Sequence, residues 1–545
     1  MFIKELQGTH KRYLYLSRSV RKDGKVVQEN LVRFGATDSL NEREIKSIAL
    51  NLLSYCKDSE QLIAINEIQE ESRLNWGACA IVHNLLELFE IPELIDKQRQ
   101  GRKIRIDILS VLKLLIVERL IEPKSKYASF NRKSQYVQEL SCNLHDLYRT
   151  LDFVEENSEN IKKHLYDCQK KLFKLDMSVV FYDVTTLYFE SKKDNGLSEF
   201  GYSKDCKFND VQVVVGALID KTGRPLDYEV FSGSTYEGHT LAKFVNRMKE
   251  KFNVTEVILV CDRGINSSEN LIEILGAGSG FNFIVGHRLR TSSKSMQAAA
   301  LSNEGYIDLP CEKEEVLKYK ILEFDRTVKT KSKEKKTISD KILITFSSKR
   351  ARKDKVDRER LVEKAKDLVG QSSLLSKRGA QKYLKTTTEQ EHVLNEDKIL
   401  EDSKWDGYYS IEFSKKDMSA EEILSAYHSL WRIENLFRSL KSHLEARPIF
   451  HWTPKRIQGH FVVCFLTLVL ERTIELEWEK NFGYISQIEI REAANSLQVS
   501  KVTTHAQSFY VFSKLSVQAE ALLQIAKITA PPPIMEAKKF EKLYV

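Results

Sequence analysis

At 545 residues, with 42% hydrophobic and 30% charged residues, the chain has the composition of an ordinary soluble globular protein and room for roughly two to four domains. The formal net charge of +8 is local: residues 326–360 hold 14 Lys and Arg against five acids, and a polyanion partner and a solvated lysine-rich loop both suit that segment. The eight cysteines are scattered with no CxxC pair, which excludes a zinc ribbon or a disulfide framework and points to a reducing compartment.

The N-terminal residues MFIKELQGTHKRYLY lack the apolar core of a signal peptide. Residues 1–35 alternate around Lys22-Asp-Gly-Lys, the pattern of a hairpin with a DG turn, and Glu42–Tyr55 reads as a helix. Through 75–175 the period is helical, with apolar stripes over Ala78–Phe89, Ile106–Leu120 and Asn160–Leu175. Between the helices, EPKSKYASFNRKSQY mixes Lys124, Lys126, Arg132 and Lys133 with Tyr127, Phe130 and Tyr136, which suits either a DNA-contacting surface or an inter-helix loop.

The pattern then changes. Val179-Val-Phe-Tyr-Asp183 and Val257-Ile-Leu-Val-Cys-Asp262 are continuous apolar runs that each end in a carboxylate. Strands over Val211–Ile219 and Pro225–Ser232, helices over Thr240–Lys251 and Ser268–Leu275, and a strand over Phe281–Gly286 complete the series. Three strands, a helix, then two strands alternating with helices is the order of a ribonuclease H-like α/β domain, its strands buried on both faces. An acid ending such a strand is costly to bury without a partner, so it should face a site. Asp176, before the first run, reads as a turn residue, and Asp205 and Asp210 rank below Asp183 because they sit in a loop and before a strand.

From 288 to 415 the period predicts a β-rich basic insertion, with strands over Lys318–Phe324, Lys341–Phe346 and Gly407–Phe413 and a helix over Arg358–Lys366. Ser419–Lys441 reads as one long helix opened by a capping box, Ser419 with Glu422. Tyr427, Glu434 and Lys441 fall seven apart on it, close to two turns, so they share a face. Ile457–Glu475 is expected as a buried helix, since its apolar run Phe461–Leu470 is too short for a bilayer core of about 30 Å. The expected domains are a hairpin plus helix at 1–60, a helical DNA-binding region at 61–175, a catalytic core at 176–287 and 416–480 interrupted by the insertion at 288–415, and an appendage at 481–545.

Asp183, Asp262 and Glu434 stand out together. Carboxylate oxygens are the ligands Mg²⁺ or Mn²⁺ prefer, and two such ions about 4 Å apart activate an attacking oxygen and steady the leaving oxygen of a phosphodiester. His287, His443, His451 and His460 have no metal-site spacing and read as structural.

On the Glu434 block the chain resembles the DDE transposases of bacterial insertion sequences, in the branch marked by Tyr-x2-Arg-x3-Glu-x6-Lys. Tyr427, Glu434 and Lys441 match; Leu430 stands at the Arg position, with Arg432 and Arg438 nearby. FYDVTTLYFE around Asp183 and VILVCDRGI around Asp262 look like the first and second acidic blocks, and GYSKDCKFNDVQVVVGAL and RPIFHWTPKRIQGHFVVCFLTL resemble stretches of related elements. The resemblance implies cut-and-paste transposition at terminal inverted repeats through hairpin ends. It implies Asp183, Asp262 and Glu434 as catalytic ligands of two divalent ions, with Tyr427 and Lys441 on terminal phosphates. A hairpin needs an extruded base, for which Trp431 and Trp405 are the stacking candidates. Double-stranded DNA, a homodimer in the synaptic complex, no membrane partner and a bacterial cytoplasmic location follow. The other readings are a different ribonuclease H-like nuclease, such as a resolvase, and a catalytically inactive DNA-binding derivative.

Overall fold

The apolar runs form strands, and more of them than the pattern alone predicts. The computed structural model describes residues 1–53, 55, 69–137, 140–189, 193–201, 209–310, 315–329, 335–369, 379–386, 392–447, 449–503 and 508–544. By internal contacts the chain divides into a unit of Met1–Ser72 with Ser500–Val511 and a unit of Arg73–Val499 with Phe512–Val545.

In the first unit the alternating segment forms three antiparallel strands, Phe2–Gln7, Arg12–Lys22 and Lys25–Ala36. Asp23 and Gly24 both take positive φ, 48° and 75°, as a two-residue hairpin turn requires. The helix Glu42–Leu53 starts from a reciprocal cap in which the Asn41 side chain accepts from the Glu44 N–H and the Glu44 carboxylate accepts from the Asn41 N–H.

The second unit is a mixed α/β structure. Its central sheet runs Ile307–Asp308, Leu317–Lys329, Lys335–Ser347, Tyr408–Phe413, Phe281–Gly286, Val257–Cys261, Val179–Tyr188, Gln212–Asp220, Pro225–Ser232. The three strands Val179–Tyr188, Val257–Cys261 and Phe281–Gly286 are mutually parallel, and every other neighbour is antiparallel. The Asp183 strand does not end at its carboxylate but continues five residues to Tyr188.

Side chains alternate across a strand, and that sorts the two faces. Val180, Tyr182 and Val184 pack with Leu259, Cys261, Phe283 and Val285 beneath the helices Leu241–Glu250 and Ser268–Ala277. Gly216 lets the first of these helices approach. A Cβ there would lie 2.9 Å from the Tyr182 hydroxyl and 3.0 Å from the Phe244 ring. The odd-numbered residues, Asp183 among them, face the opposite side, where the helix Trp431–Arg438 packs against the Asp183 strand and its neighbour Gln212–Asp220.

The β-rich insertion at 288–415 extends the central sheet: Tyr408–Phe413 pairs with Phe281–Gly286, Ile411 opposite Gly286. The apolar run 461–470 lies in a buried helix, as its pattern predicts, but the helix is longer than expected, Pro454–Phe482. By length and composition it could cross a membrane, yet 89% of its apolar window is buried inside the protein. The segment 481–545 is no appendage. Its helix Gln487–Ser496 packs on Ile108–Ile121, Asn75 donates to the Ala494 carbonyl at 3.1 Å, and Asn84 donates to the Ala526 carbonyl at 3.0 Å.

The basic stretch 122–136 is also tied inward. Lys124 pairs with Glu122, Arg132 with Glu118 and Glu122, and Lys133 donates to the carbonyls of Leu140 and Cys142. Lys126 is buried, and desolvation first, then the charge of Arg119, pulls its ammonium down to about 7.

Gly216→Val is expected to destabilise the second unit by about 1–3 kcal/mol through overpacking against Tyr182 and Phe244, read as a lower urea midpoint with an unchanged slope.

Candidate active site

Parallel pairing sets Tyr182 opposite Cys261, and the next residue on each strand is an acid. Asp183 and Asp262 thus project side by side from the face opposite the Tyr182–Cys261 core, both half-buried. Each carboxylate is braced by the main chain: Val184 N–H donates to Asp183 Oδ1 at 2.7 Å, and Gly264 N–H to Asp262 Oδ1 at 2.6 Å. Burial first, then the charges of Asp262 and Asp183, push the Cys261 thiol well above its ordinary range.

Glu434 lies on the helix Trp431–Arg438, its side chain exposed. Ala217, cross-strand partner of Asp183, lines a small cavity with Leu436 and Phe437 of that helix, so the helix covers the face from which Asp183 projects. The helix expected over Ser419–Lys441 is three segments. Ala420–His428 ends at a turn, Trp431–Arg438 follows, and Ser439–His443 is a π-helical turn closed by Leu444 N–H to the Ser439 carbonyl at 2.9 Å. The spacing of Tyr427, Glu434 and Lys441 therefore spans two joints at which the advance per turn changes. Lys441 sits in the π turn, which the helix Gln487–Ser496 supports through Gln487 to Ser439 and Arg491 to the His443 carbonyl.

Tyr427 approaches the Asp262 side. Its hydroxyl accepts from Tyr409 Oη at 2.5 Å, and a Cβ at Gly286 would lie 2.5 Å from that hydroxyl, so only glycine fits. Burial, then the Tyr409 phenol, raises the Tyr427 hydroxyl, and the charge of Asp262 adds to the shift. The other binding candidates divide. Arg438 is exposed, and Trp431 is 54% exposed. Arg432 reaches the Thr222 carbonyl at 3.3 Å, anchoring the turn between two strands. Trp405 is a core residue, 6% exposed among Leu289, Ala300, Ile342 and Ile344, because its strand-end position is roofed by the insertion's own helix Lys294–Leu301.

Residues that the sequence reading passed over gather beside Asp262. Arg263, Arg288, Arg290, Arg350, Tyr408 and Tyr409 line a cavity of about 260 Å³ with Trp405 in its wall. The Asp262-Arg263 dipeptide and the run Arg288-Leu-Arg290 after a buried strand were the available signal. Behind the cavity lies a buried polar network. Glu412 is fully buried and accepts from His287 Nδ1 at 3.0 Å and Asn266 Nδ2 at 3.1 Å, and it pairs with Arg326. Asn266 also donates to the Gly286 carbonyl at 3.0 Å, which ties the loop after Asp262 to two strands. His460 and His451 are structural, held neutral first by burial. Asp176 is a turn residue accepting from Ser178 N–H at 3.0 Å, and Asp205 lies outside the described residues.

The profile of the transposase DDE domain matches residues 174–470, more than half of the chain and all of the residues just described from Asp183 to Lys441. The chain belongs to the DDE transposase family. No curated protein matches it. Among solved structures it is similar to a piggyBac transposase synaptic complex with hairpin DNA, at 8% identity and TM-score 0.36 over 77% of this chain and 80% of that chain. It is also similar to a Mos1 transposase paired-end complex with left transposon end, at 14% identity and TM-score 0.14 over 34% and 59%. At those scores neither likeness carries an argument, and the family assignment of this transposase rests on the profile match.

Burial first, then the charge of Glu412, pushes the Asp340 carboxyl up to about 8, while Glu412 is held lower by His287 and Arg326 despite its burial. The folded protein keeps a proton on Asp340 that the unfolded chain, with a carboxyl near 3.8, releases. Stability from this group is complete below about pH 4 and is lost as pH rises through about 8. Asp340→Asn is expected to flatten that fall, measured as urea midpoints at pH 5 and pH 8.

Proposed function

We propose that this transposase cuts and joins DNA at the terminal inverted repeats of a bacterial insertion sequence of the Tyr-x2-Arg-x3-Glu-x6-Lys branch, on a ribonuclease H-like core, as a homodimer acting in the cytoplasm on the nucleoid. The observation that carries the reading is Asp183 beside Asp262 on paired parallel strands, with the Glu434 helix covering the same face. The donor set of three carboxylates is all hard oxygen, which fits a divalent cation. Mg²⁺ or Mn²⁺ held by Asp183, Asp262 and Glu434 would activate the attacking oxygen and neutralise the leaving one.

The chain's own groups supply the rest. Water attacks phosphorus at the element end and the strand's 3′-oxygen leaves, giving a free 3′-OH. That hydroxyl attacks phosphorus on the opposite strand and displaces the 3′-oxygen of the flanking DNA, closing a hairpin; the hairpin is reopened by a second hydrolysis, and the 3′-OH then displaces a 3′-oxygen of target DNA. Every step is an in-line displacement at phosphorus, so one set of positioned residues serves all. Arg263, Arg288, Arg290 and Arg350 offset phosphate charge beside Asp262, and Lys441 acts as a point charge on the terminal phosphate. Trp431, exposed and with the Arg432 guanidinium 4.9 Å over its ring, is the stacking surface for an extruded base.

The test uses a labelled duplex carrying the gene's flanking inverted repeat, Mn²⁺ and a denaturing gel. Nicks and hairpins at the repeat boundary are expected, falling by about 10³-fold in Glu434→Gln. Cutting without regard to the repeat would mean a general nuclease, and binding without cleavage an inactive derivative. Trp431→Ala should nick normally and lose hairpins; an unchanged hairpin yield sinks the stacking role. Asn266→Ala, which releases the loop after Asp262, should raise the Mn²⁺ needed for half-maximal cleavage about tenfold or more while leaving DNA binding in EDTA unchanged.

A further inference from the structure

A second cavity lies away from Asp262. It measures about 470 Å³, within the ~300–1,000 Å³ of small-molecule sites, and is lined by Phe189, Lys193, Asn195, Phe450, His451 and Trp452, among others. One wall continues the Asp183 strand. Phe189 follows that strand's last residue, is 1% exposed, and forms a parallel bridge with Ile449. The opposite wall is the segment between the Lys441 turn and the core helix Pro454–Phe482, and it holds two large aromatic rings in solvent, Phe450 at 56% and Trp452 at 72% exposure. Asn195 Nδ2 donates to the Trp452 carbonyl at 3.0 Å, which fixes the tryptophan's main chain to the first wall.

Exposed rings of this size are a cost in water unless something covers them, and their neighbours indicate what. Lys193 is exposed at the rim, and the Arg447 guanidinium lies 5.3 Å over the Tyr188 ring at the end of the same strand. His451 adds no charge, since burial first, then Lys126 and Arg119, pulls it down to about 3. No carboxylate is among the residues described as lining the cavity. Aromatic faces with lysine and arginine at the rim suit a base and its phosphates, because every base has a stacking face and every phosphate a negative charge.

We propose that this cavity takes an unpaired nucleobase of the bound DNA, stacked on Trp452 and Phe450, with Lys193 and Arg447 as contacts to the flanking phosphates. The proposal rests on the transposase reading above and adds a second base site, separate from the hairpin base assigned to Trp431. Strand geometry places it. Phe189 lies six residues beyond Asp183 and, by alternation, on the same face. At about 3.3 Å per residue the separation is about 20 Å, or about six steps of a duplex that rises 3.4 Å per base pair. The base is therefore extruded about five to seven nucleotides from the phosphate cut at Asp183.

The experiment measures binding of the full chain, by fluorescence anisotropy in Ca²⁺, to a series of element-end duplexes with one mismatch at each of the ten or so positions around the cut. Extruding a mismatched base costs less than extruding a paired one, so one position, five to seven from the cut, is expected to bind about tenfold tighter when mismatched. That gain is expected to vanish in Trp452→Ala and shrink in Phe450→Ala, with melting temperatures unchanged because both rings are exposed. A flat mismatch profile on DNA that the protein binds and cuts overturns the pocket and leaves the transposase reading intact. The same gain in wild type and Trp452→Ala also overturns it. A Trp452→Ala variant with an altered oligomeric state and an unaltered mismatch profile would assign the rings to a protein contact instead. Absence of any DNA binding would overturn both readings together.

Discussion

Parallel pairing of Val179–Tyr182 with Ile258–Cys261 is the constraint on which the rest of the site depends. Register and alternation act together there. Because Tyr182 and Cys261 are opposite one another and both face the helical core, Asp183 and Asp262 must emerge together on the other face. A one-residue slip of either strand would turn its acid toward the helical core and its core side chain, Tyr182 or Cys261, away from it, at a desolvation cost. The apolar packing beneath the sheet therefore defines the carboxylate pair above it.

Two elements then bring chemistry to that pair from distant parts of the chain. The helix Pro454–Phe482 packs on Leu144–Glu156, Ile108–Ile121 and the strand Pro225–Ser232, so one apolar rod joins the helical region to the sheet edge. With the helix Gln487–Ser496 it holds the π turn at Lys441. On the other side the insertion's last strand carries Glu412 into the sheet. A fully buried carboxylate survives there because His287, Asn266 and Arg326 all engage it, and the same contacts reach the loop after Asp262. The insertion is thus part of the site's support as well as the source of three of the four arginines beside it, Arg288, Arg290 and Arg350.

Much of this was legible from pattern. The strands Phe281–Gly286, Val257–Cys261 and Pro225–Ser232, the DG hairpin, and the existence of a helix around Glu434 all follow from hydrophobic period and turn chemistry, which act over a few residues. The short helices Ile91–Arg99 and Lys294–Leu301 were missed because eight or nine residues give little periodicity, whereas Leu144–Glu156 falls inside the stretch 75–175 whose period is helical. The break at Ser429–Leu430 and the π turn were missed for another reason. No Gly or Pro marks them, and they are produced by what the segment packs on.

What the sequence by itself determined is local: which runs are apolar enough to be strands, which acids end or interrupt them, and the spacing of Tyr427, Glu434 and Lys441, together with the family those residues indicate. Tertiary contacts alone set which charges are buried or tied to a carbonyl and which gather at an open cavity. Lys126 and Arg432 look in sequence like phosphate contacts and are held by burial and by a carbonyl, whereas Arg263, Arg288 and Arg350 gather in one cavity from three separate segments. Trp405 and Trp452 have equal standing as letters, yet one is core and the other is in solvent. Burial and charge pairing depend on contacts between residues hundreds of positions apart, and no local pattern encodes them.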